Sequence, residues 1–237
     1  MSERDCLLVD DDPVGSAYLA GLLAGQDLRV RHAATLAAAR AQLERGLPEL
    51  LVIDRRLPDG DGLCWLAQEL PRWSRRPRCL LCSGDVIDTS ALPVGVASLR
   101  KPVEAEALLA WLGGAGTGAM SERRAANEPA AQAAPLLDDI AALTRLGDNP
   151  EALRSLRRMF ATELATGTLR QARDLPSAEL AVLLHRVRAG CALTGCARLA
   201  VVCAQAESLL AHNGTLDANV ARELSTCIVA TLAALGN

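Results

Sequence analysis

The stretch Leu50-Leu51-Val52-Ile53-Asp54-Arg55-Arg56-Leu57-Pro58-Asp59-Gly60-Asp61-Gly62 decides how this chain is read. Four apolar residues, Leu50 to Ile53, run into a carboxylate and then into a turn rich in Pro, Gly and Asp. A continuous apolar run bounded by turn signals predicts a strand buried on both faces, as in a parallel sheet. In such sheets the functional groups sit just beyond the carboxyl ends of the strands. Asp54 is therefore either a solvated turn aspartate or a reactive carboxylate at a strand end, and residues elsewhere in the chain decide between the two.

Outward from that stretch, strands and helices alternate. Asp5 to Val9 reads as a first strand that runs into Asp10-Asp11-Asp12-Pro13. Asp before Pro starts a helix, so Asp12 is expected to cap a helix reaching about Gln26. Asp10 and Asp11 have no such local use, and adjacent carboxylates repel unless a cation or basic group is near. Leu28 to Arg31 predicts a short strand and Thr35 to Arg45 a helix. After the opening strand, Gly62 to Leu70 predicts a helix ended by Pro71. Arg78 to Cys82 is a fourth strand landing on Ser83, and Gly95 to Leu99 a fifth landing on Lys101, before a closing helix from Val103 to Leu112. The short Pro-containing segment from Ser83 to Gly95 leaves room for no more than a stunted fourth helix. The pattern is α/β, a doubly wound five-stranded parallel sheet.

Compared together, the strand ends deliver Asp10 and Asp11, Asp54, Ser83 and Lys101. Lys101 is the sole lysine among 25 basic Lys and Arg residues, which points to a need for a compact, flexible ammonium there.

At 237 residues the chain accommodates two modest domains. Half of it is apolar, with few aromatics, so the cores are expected to be built from Leu, Val and Ala. A net charge of −3 gives no electrostatic footprint for nucleic acid. No apolar run reads as a membrane span and Met1 to Asp10 lacks a signal-peptide pattern, so the protein is expected to be cytoplasmic. The eight cysteines are scattered. Cys79 and Cys82, three apart in an extended run, face opposite ways and complete no zinc set, so the cysteines are expected to be small core residues.

Val-Asp10-Asp11-Asp-Pro, Ile-Asp54 with Leu-Pro58-Asp-Gly-Asp-Gly62, Ser83, and Lys101-Pro102 together resemble the response-regulator receiver domain, over residues 1–112. The resemblance implies a flavodoxin-like receiver with Asp54 as phosphoacceptor. It implies Mg²⁺ held by Asp10, Asp11, Asp54 and the main-chain carbonyl of Arg56, with Ser83 and Lys101 on the phosphoryl oxygens. Two positions depart from the family pattern. Ser98 stands where an aromatic residue usually reports phosphorylation, and Arg56 is bulky and cationic, which would shield a phosphoryl group and slow its hydrolysis.

Residues 113–135, rich in Gly and Ala with Pro129 and Pro135, read as a flexible linker. From Leu136 onward the pattern is helical. Helices are expected over Leu136 to Leu146, over a segment after Pro150 carrying Leu153, Leu156, Met159, Phe160 and Leu164, and over Leu169 to Leu175. Others are expected from Pro176 to about Cys191, Cys196 to His212 and Leu216 to Leu235. Long helices with short connections predict an all-α antiparallel bundle over residues 136–237. His185 lies beside the apolar stripe of Leu180, Leu183, Leu184, Val187 and Cys191, and next to Arg186 and Arg188. Alone it would read as a surface or half-buried histidine. With Leu184, Arg188, Ala189, Gly195, Leu199 and Glu207, however, it resembles the histidine phosphotransfer (HPt) domain. The resemblance implies a phosphoryl-carrying His185 supported by Arg188, with Ala189 where glycine is usual.

The function expected is a two-component phosphorelay. A sensor histidine kinase phosphorylates Asp54, and His185 exchanges the group with Asp54 or with a downstream receiver domain. No contact with nucleic acid and no membrane insertion are expected. Neither a Walker loop nor another glycine-rich nucleotide loop is present, so no ATP site of its own is expected. The alternative is a regulator whose phosphorylation changes its docking on a kinase or target, without relay through His185.

Overall fold

The structure, a computed structural model, describes residues 4–85, 87–114, 134–166 and 175–236. The chain divides into two compact units, Met1–Arg123 and Arg124–Asn237. Most of the expected linker, and the helix expected over Leu169 to Leu175 apart from Leu175 itself, lie outside the described residues.

In the first unit, strands β1 (Arg4–Val9), β2 (Leu28–Ala33), β3 (Leu50–Asp54), β6 (Arg78–Ser83) and β7 (Val96–Arg100) form one sheet. Their order is β2-β1-β3-β6-β7, and every pairing is parallel. Helices α1 (Pro13–Ala24), α2 (Leu36–Leu43), α3 (Gly62–Glu69) and α4 (Ala105–Leu112) flank it. The opening stretch forms the middle strand, and all five residues of β3 are buried. Two-sided burial explains its unbroken apolar run, because no face is left for a polar residue until the strand ends at Asp54. Leu51 and Ile53 pack with Leu7, Val9, Leu66 and Leu81 into one apolar core.

Helix starts follow the side-chain chemistry. The Asp12 carboxylate accepts from the Val14 amide, with Pro13 at the first helical position. Asp61 and Thr35 cap α3 and α2 in the same way. The Leu36 and Ala37 amides of α2 are met by Asp59, which reaches over from the turn after β3.

Three features of this unit depart from the sequence pattern or complete it. A two-stranded hairpin, β4 (Arg56–Leu57) with β5 (Gly60–Asp61), lies between β3 and α3; strands of two residues leave no periodic signal. The chain also turns on past α3 through Leu70–Arg72 as a 3₁₀ segment that includes Pro71. Between β6 and β7 the described residues hold a single 3₁₀ turn, Thr89–Ala91, in place of a fourth helix. Ile87, Leu92 and Val96 lean against the core there, while Val94 is 90% exposed.

The second unit is helical: α5 (Asp139–Arg145), α6 (Pro150–Thr166), α7 (Ser177–Thr194), α8 (Ala197–Asn213) and α9 (Ala218–Leu235). α8 packs on α7 and α9, α6 packs on α7 and α9, and α5 rests on α6 and α7. Phe160 is fully buried at the centre. A Cβ on Gly190 would stand 2.7 Å from the Phe160 ring, so a residue without a side chain is what lets α7 approach α6 here.

Helix α9, with mean hydropathy 1.2 over 18 residues, is long and apolar enough by length and composition to cross a membrane. Length and composition alone do not make it a membrane span, so it does not overturn the expectation that no run reads as one. The helix carries Arg222 and Glu223 and turns Leu224, Cys227, Ile228 and Thr231 into the bundle. All eight cysteines are free; seven are buried, but Cys64 on α3 is exposed, against the expectation of a core residue. Burial pushes the Cys79 thiol up to about 12 and the Cys196 thiol up to about 11. Both are neutral thiols at physiological pH, as expected of small core residues.

Candidate functional site

Parallel strands entering from one side place their carboxyl ends together, so residues far apart in sequence meet at one edge of the sheet. β1 ends at Asp10, 1% exposed, β3 at Asp54, 5% exposed, and β6 at Ser83, 1% exposed. β7 leads into Lys101, whose backbone amide donates to the Ser83 carbonyl. The Lys101 Nζ then donates to Asp10 Oδ2 at 2.7 Å and to Asp54 Oδ2 at 2.6 Å. Asp11 is half-buried beside them, and Asp10, Asp11 and Asp54 each offer an oxygen atom within 4.8 Å of the others. The acidic pair, the strand-end aspartate and the lone lysine singled out in the sequence are thus one cluster.

The loops hold these groups in place. Asp54 Oδ1 accepts from the Arg56 amide at 3.3 Å, and Asp10 Oδ1 accepts from the Asp12 amide at 3.0 Å. Ser83 Oγ accepts from the Asp85 amide at 3.1 Å. The chain folds back tightly after Asp54: a Cβ on Gly62 would lie 2.1 Å from the Asp54 carbonyl oxygen, which excludes any other residue there.

Burial pushes the Asp54 carboxyl above the ordinary aspartate range, and the neighbouring Asp10 charge adds to this against the opposing pull of Lys101. Burial would by itself lower the Lys101 ammonium, but the charges of Asp10 and Asp54 override it and hold the proton well above the usual lysine range. Three carboxylates against one ammonium leave the cluster about two negative charges in excess. Hard oxygen donors with that surplus suit a divalent cation of the Mg²⁺ kind, which keeps part of its shell for water or phosphoryl oxygens. A receiver domain's acidic Mg²⁺-binding cluster has this composition.

Three contacts at this edge were not legible in the sequence. His32 Nε2 lies 2.8 Å from the Asp10 carbonyl oxygen, and Ser16 Oγ donates to the same oxygen at 3.1 Å. Both pin the backbone of the first acidic residue. In addition, the Arg56 guanidinium donates to Asp85 Oδ2 at 2.6 Å, joining the loop after β3 to the loop after β6. No sequence pattern marks any of these, because each joins different elements or loops of the fold.

In the second unit, His185 lies on α7 with its side chain 12% exposed. Its Nδ1 is 3.6 Å from Oε1 of Glu207 on α8, and Glu207 Oε2 is 3.1 Å from Nε of Arg188. Arg186 Nε is 3.1 Å from Glu163 Oε1 on α6. Both arginines beside His185 therefore already face a carboxylate, which their positions in the sequence did not show. His212 sits at the end of α8, its Nδ1 against the Ser208 carbonyl.

Residues 6–112 match the family model described as "Response regulator receiver domain". The KDP operon transcriptional regulatory protein KdpE of Escherichia coli is 33% identical over 75 residues, 32% of this chain and 33% of that protein. The response regulator protein PilR of Pseudomonas aeruginosa is 34% identical over 107 residues, 44% of this chain and 24% of that protein. The chain thus spans a quarter to a third of the length of these curated relatives. Among solved structures, a CheY-like receiver domain protein of Methanospirillum hungatei is 25% identical, with a TM-score of 0.42, over 48% of this chain and 93% of that one. The sheet order, the strand-end cluster and the family match fall on the same residues. Residues 6–112 thus have the fold and the acidic strand-end cluster of a response-regulator receiver domain.

Proposed function

We propose that Asp54 is the aspartate that accepts the phosphoryl group, from a phosphohistidine of a sensor histidine kinase, and that His185 carries it onward or back. The observation that carries the first half is the Lys101 ammonium held between Asp10 and Asp54 at the carboxyl edge of the sheet. An Asp54 oxygen attacks phosphorus, the P–N bond of the donor breaks, and the donor imidazole leaves with its electron pair. Lys101, already within hydrogen-bond distance of Asp54, follows the developing charge onto a phosphoryl oxygen. Ser83, at the end of the adjacent strand, supplies a hydroxyl donor for another. Asp10, Asp11, Asp54 and the main-chain carbonyl of Arg56 would hold Mg²⁺, which when bound neutralises charge on the group in flight.

The second half of the proposal makes residues 136–237 a histidine phosphotransfer domain. It is supported by His185 on a bundle helix with a cationic neighbour on the same face. A neutral imidazole nitrogen is a competent acceptor near neutral pH. Arg188, three residues on, is a charge-assisted donor for the dianion once it leaves Glu207. The second partner is then a receiver domain, either this chain's own or a downstream one.

Radiolabel transferred from a phosphorylated histidine kinase tests both halves. Alkali-labile label that disappears in Asp54→Asn, and acid-labile label that disappears in His185→Gln, are the expected results. Alkali-labile label that persists in Asp54→Asn overturns the first half. Absence of acid-labile label with every donor and receiver offered overturns the second and leaves a regulator that acts by docking alone.

A further inference from the structure

Arg56 and Asp85 form an ion pair at 2.6 Å directly over the phosphoryl-accepting edge. The Arg56 amide touches Asp54 Oδ1, and the Asp85 amide touches Ser83 Oγ, so each partner is anchored to a different group of the site. The two side chains are roughly half-exposed, 49% and 43%. A pair this open contributes little to stability, so a stronger competitor for the guanidinium breaks it easily. A phosphoryl group is such a competitor, with about twice the charge of a carboxylate and oxygens that suit the arginine fork.

What the pair holds matters as much. Asp85 opens the connection to β7 that contains no α-helix among the described residues, only the 3₁₀ turn Thr89–Ala91. Ile87 and Leu92 rest against the core but stay partly exposed, and Val94 is 90% exposed. The part of a receiver that usually carries a helix is therefore a lightly packed loop tied down at its start by Arg56. Ser98, on β7, has no ring with which to signal a change at the site.

We propose that Arg56 is a phosphoryl-binding switch residue that exchanges Asp85 for the phosphoryl group on Asp54 and thereby releases the segment that follows Asp85. This rests on Asp54 being the acceptor. In the unphosphorylated protein, Arg56 closes the site and holds the connection down. In the phosphorylated protein it covers the phosphoryl group against water, and Asp85 is set free. The connection between β6 and β7, rather than an aromatic side chain, then presents the signal.

The test uses the full chain carrying His185→Gln, so that label acquired by the receiver stays there. Acetyl phosphate with Mg²⁺ is the donor, and the lifetime of the acyl phosphate is followed. Arg56→Ala is expected to shorten the lifetime about fivefold, and Asp85→Asn, which frees the guanidinium, to lengthen it about twofold. Amide exchange at Ile87 to Ala91 is followed in parallel with beryllium fluoride as the bound phosphoryl mimic. It should quicken on binding in the parent protein and be fast before and after binding in Arg56→Ala. Label that survives Asp54→Asn would show that the acceptor is wrongly assigned. Label confined to Asp54, with a lifetime unchanged or lengthened in Arg56→Ala or with exchange at Ile87 to Ala91 unmoved in the parent, overturns the switch alone.

Discussion

The two candidate phosphoryl sites are built in opposite ways. At the sheet edge, groups from four strand ends converge, and Asp10, Asp54 and Ser83 are each no more than 5% exposed. Their charges are unbalanced, three carboxylates against one ammonium, and the imbalance is held by the surrounding fold. At His185 the parts are adjacent residues of one helix, with partners supplied by the helices on either side. Charge there is balanced locally, Arg188 by Glu207 and Arg186 by Glu163. A site for a cation and a dianion is suited by the first arrangement; the proposed relay histidine is suited by a cation beside it that can change partners.

That contrast can be broken at either end. The largest effect is expected from Asp54→Asn, which should reduce phosphoryl uptake by the receiver at least about a hundredfold, while His185→Gln leaves uptake on Asp54 intact. Next is Lys101→Met, measured by denaturant unfolding without divalent cation. Removing the ammonium leaves Asp10 and Asp54 buried together without a counter-charge, and a loss of about 3 kcal/mol is expected, partly restored by Mg²⁺. In the second unit, Gly190→Ala drives a methyl group into the Phe160 ring and should cost about 1–3 kcal/mol in the same assay, although His185 itself is untouched. Arg188→Ala should slow transfer through His185 about fivefold while leaving stability nearly unchanged, since its pairing with Glu207 is partly exposed.

The smallest effect sharpens the electrostatic half of the comparison. Folding raises the Asp54 carboxyl above its unfolded value, so the folded state holds this proton more tightly than the unfolded state does. Whatever Asp54 contributes to stability is then fully present below the unfolded carboxylate range and is lost as pH rises through the folded value. Asp54→Asn should therefore gain stability relative to the parent as pH is raised from about 4 toward neutrality, in thermal melts without Mg²⁺.

Much of the receiver was legible because its signals are local. The buried run of β3, the Asp12-Pro13 cap and the punctuation by Pro and Gly each report on a few neighbouring residues. The lone lysine was informative for a compositional reason: in a chain that otherwise uses arginine, one ammonium marks a position where a compact charge is needed. The hairpin after Asp54 was too short to show a period, and Asp59 capping α2 from another loop left no mark beside that helix. Cys64 read as a core residue because composition says nothing of which side a helix turns outward. In the bundle, the apolar stripe on α7 placed His185 beside the core, but Glu207 and Glu163 come from other helices, and their pairing with the two arginines was invisible.

The sequence by itself determined the alternation of strands and helices and singled out Asp10, Asp11, Asp54, Ser83 and Lys101, with His185 on a separate helix, as the residues to watch. Hydrophobic period and turn chemistry act over a few residues and are written directly in the order of the chain. The tertiary structure alone decided that Lys101 bridges Asp10 and Asp54, that Arg56 is held by Asp85, and that Arg188 is held by Glu207. Those pairings depend on distances set by strand register and helix packing, and a charge finds its partner only after the backbone has brought the two ends together.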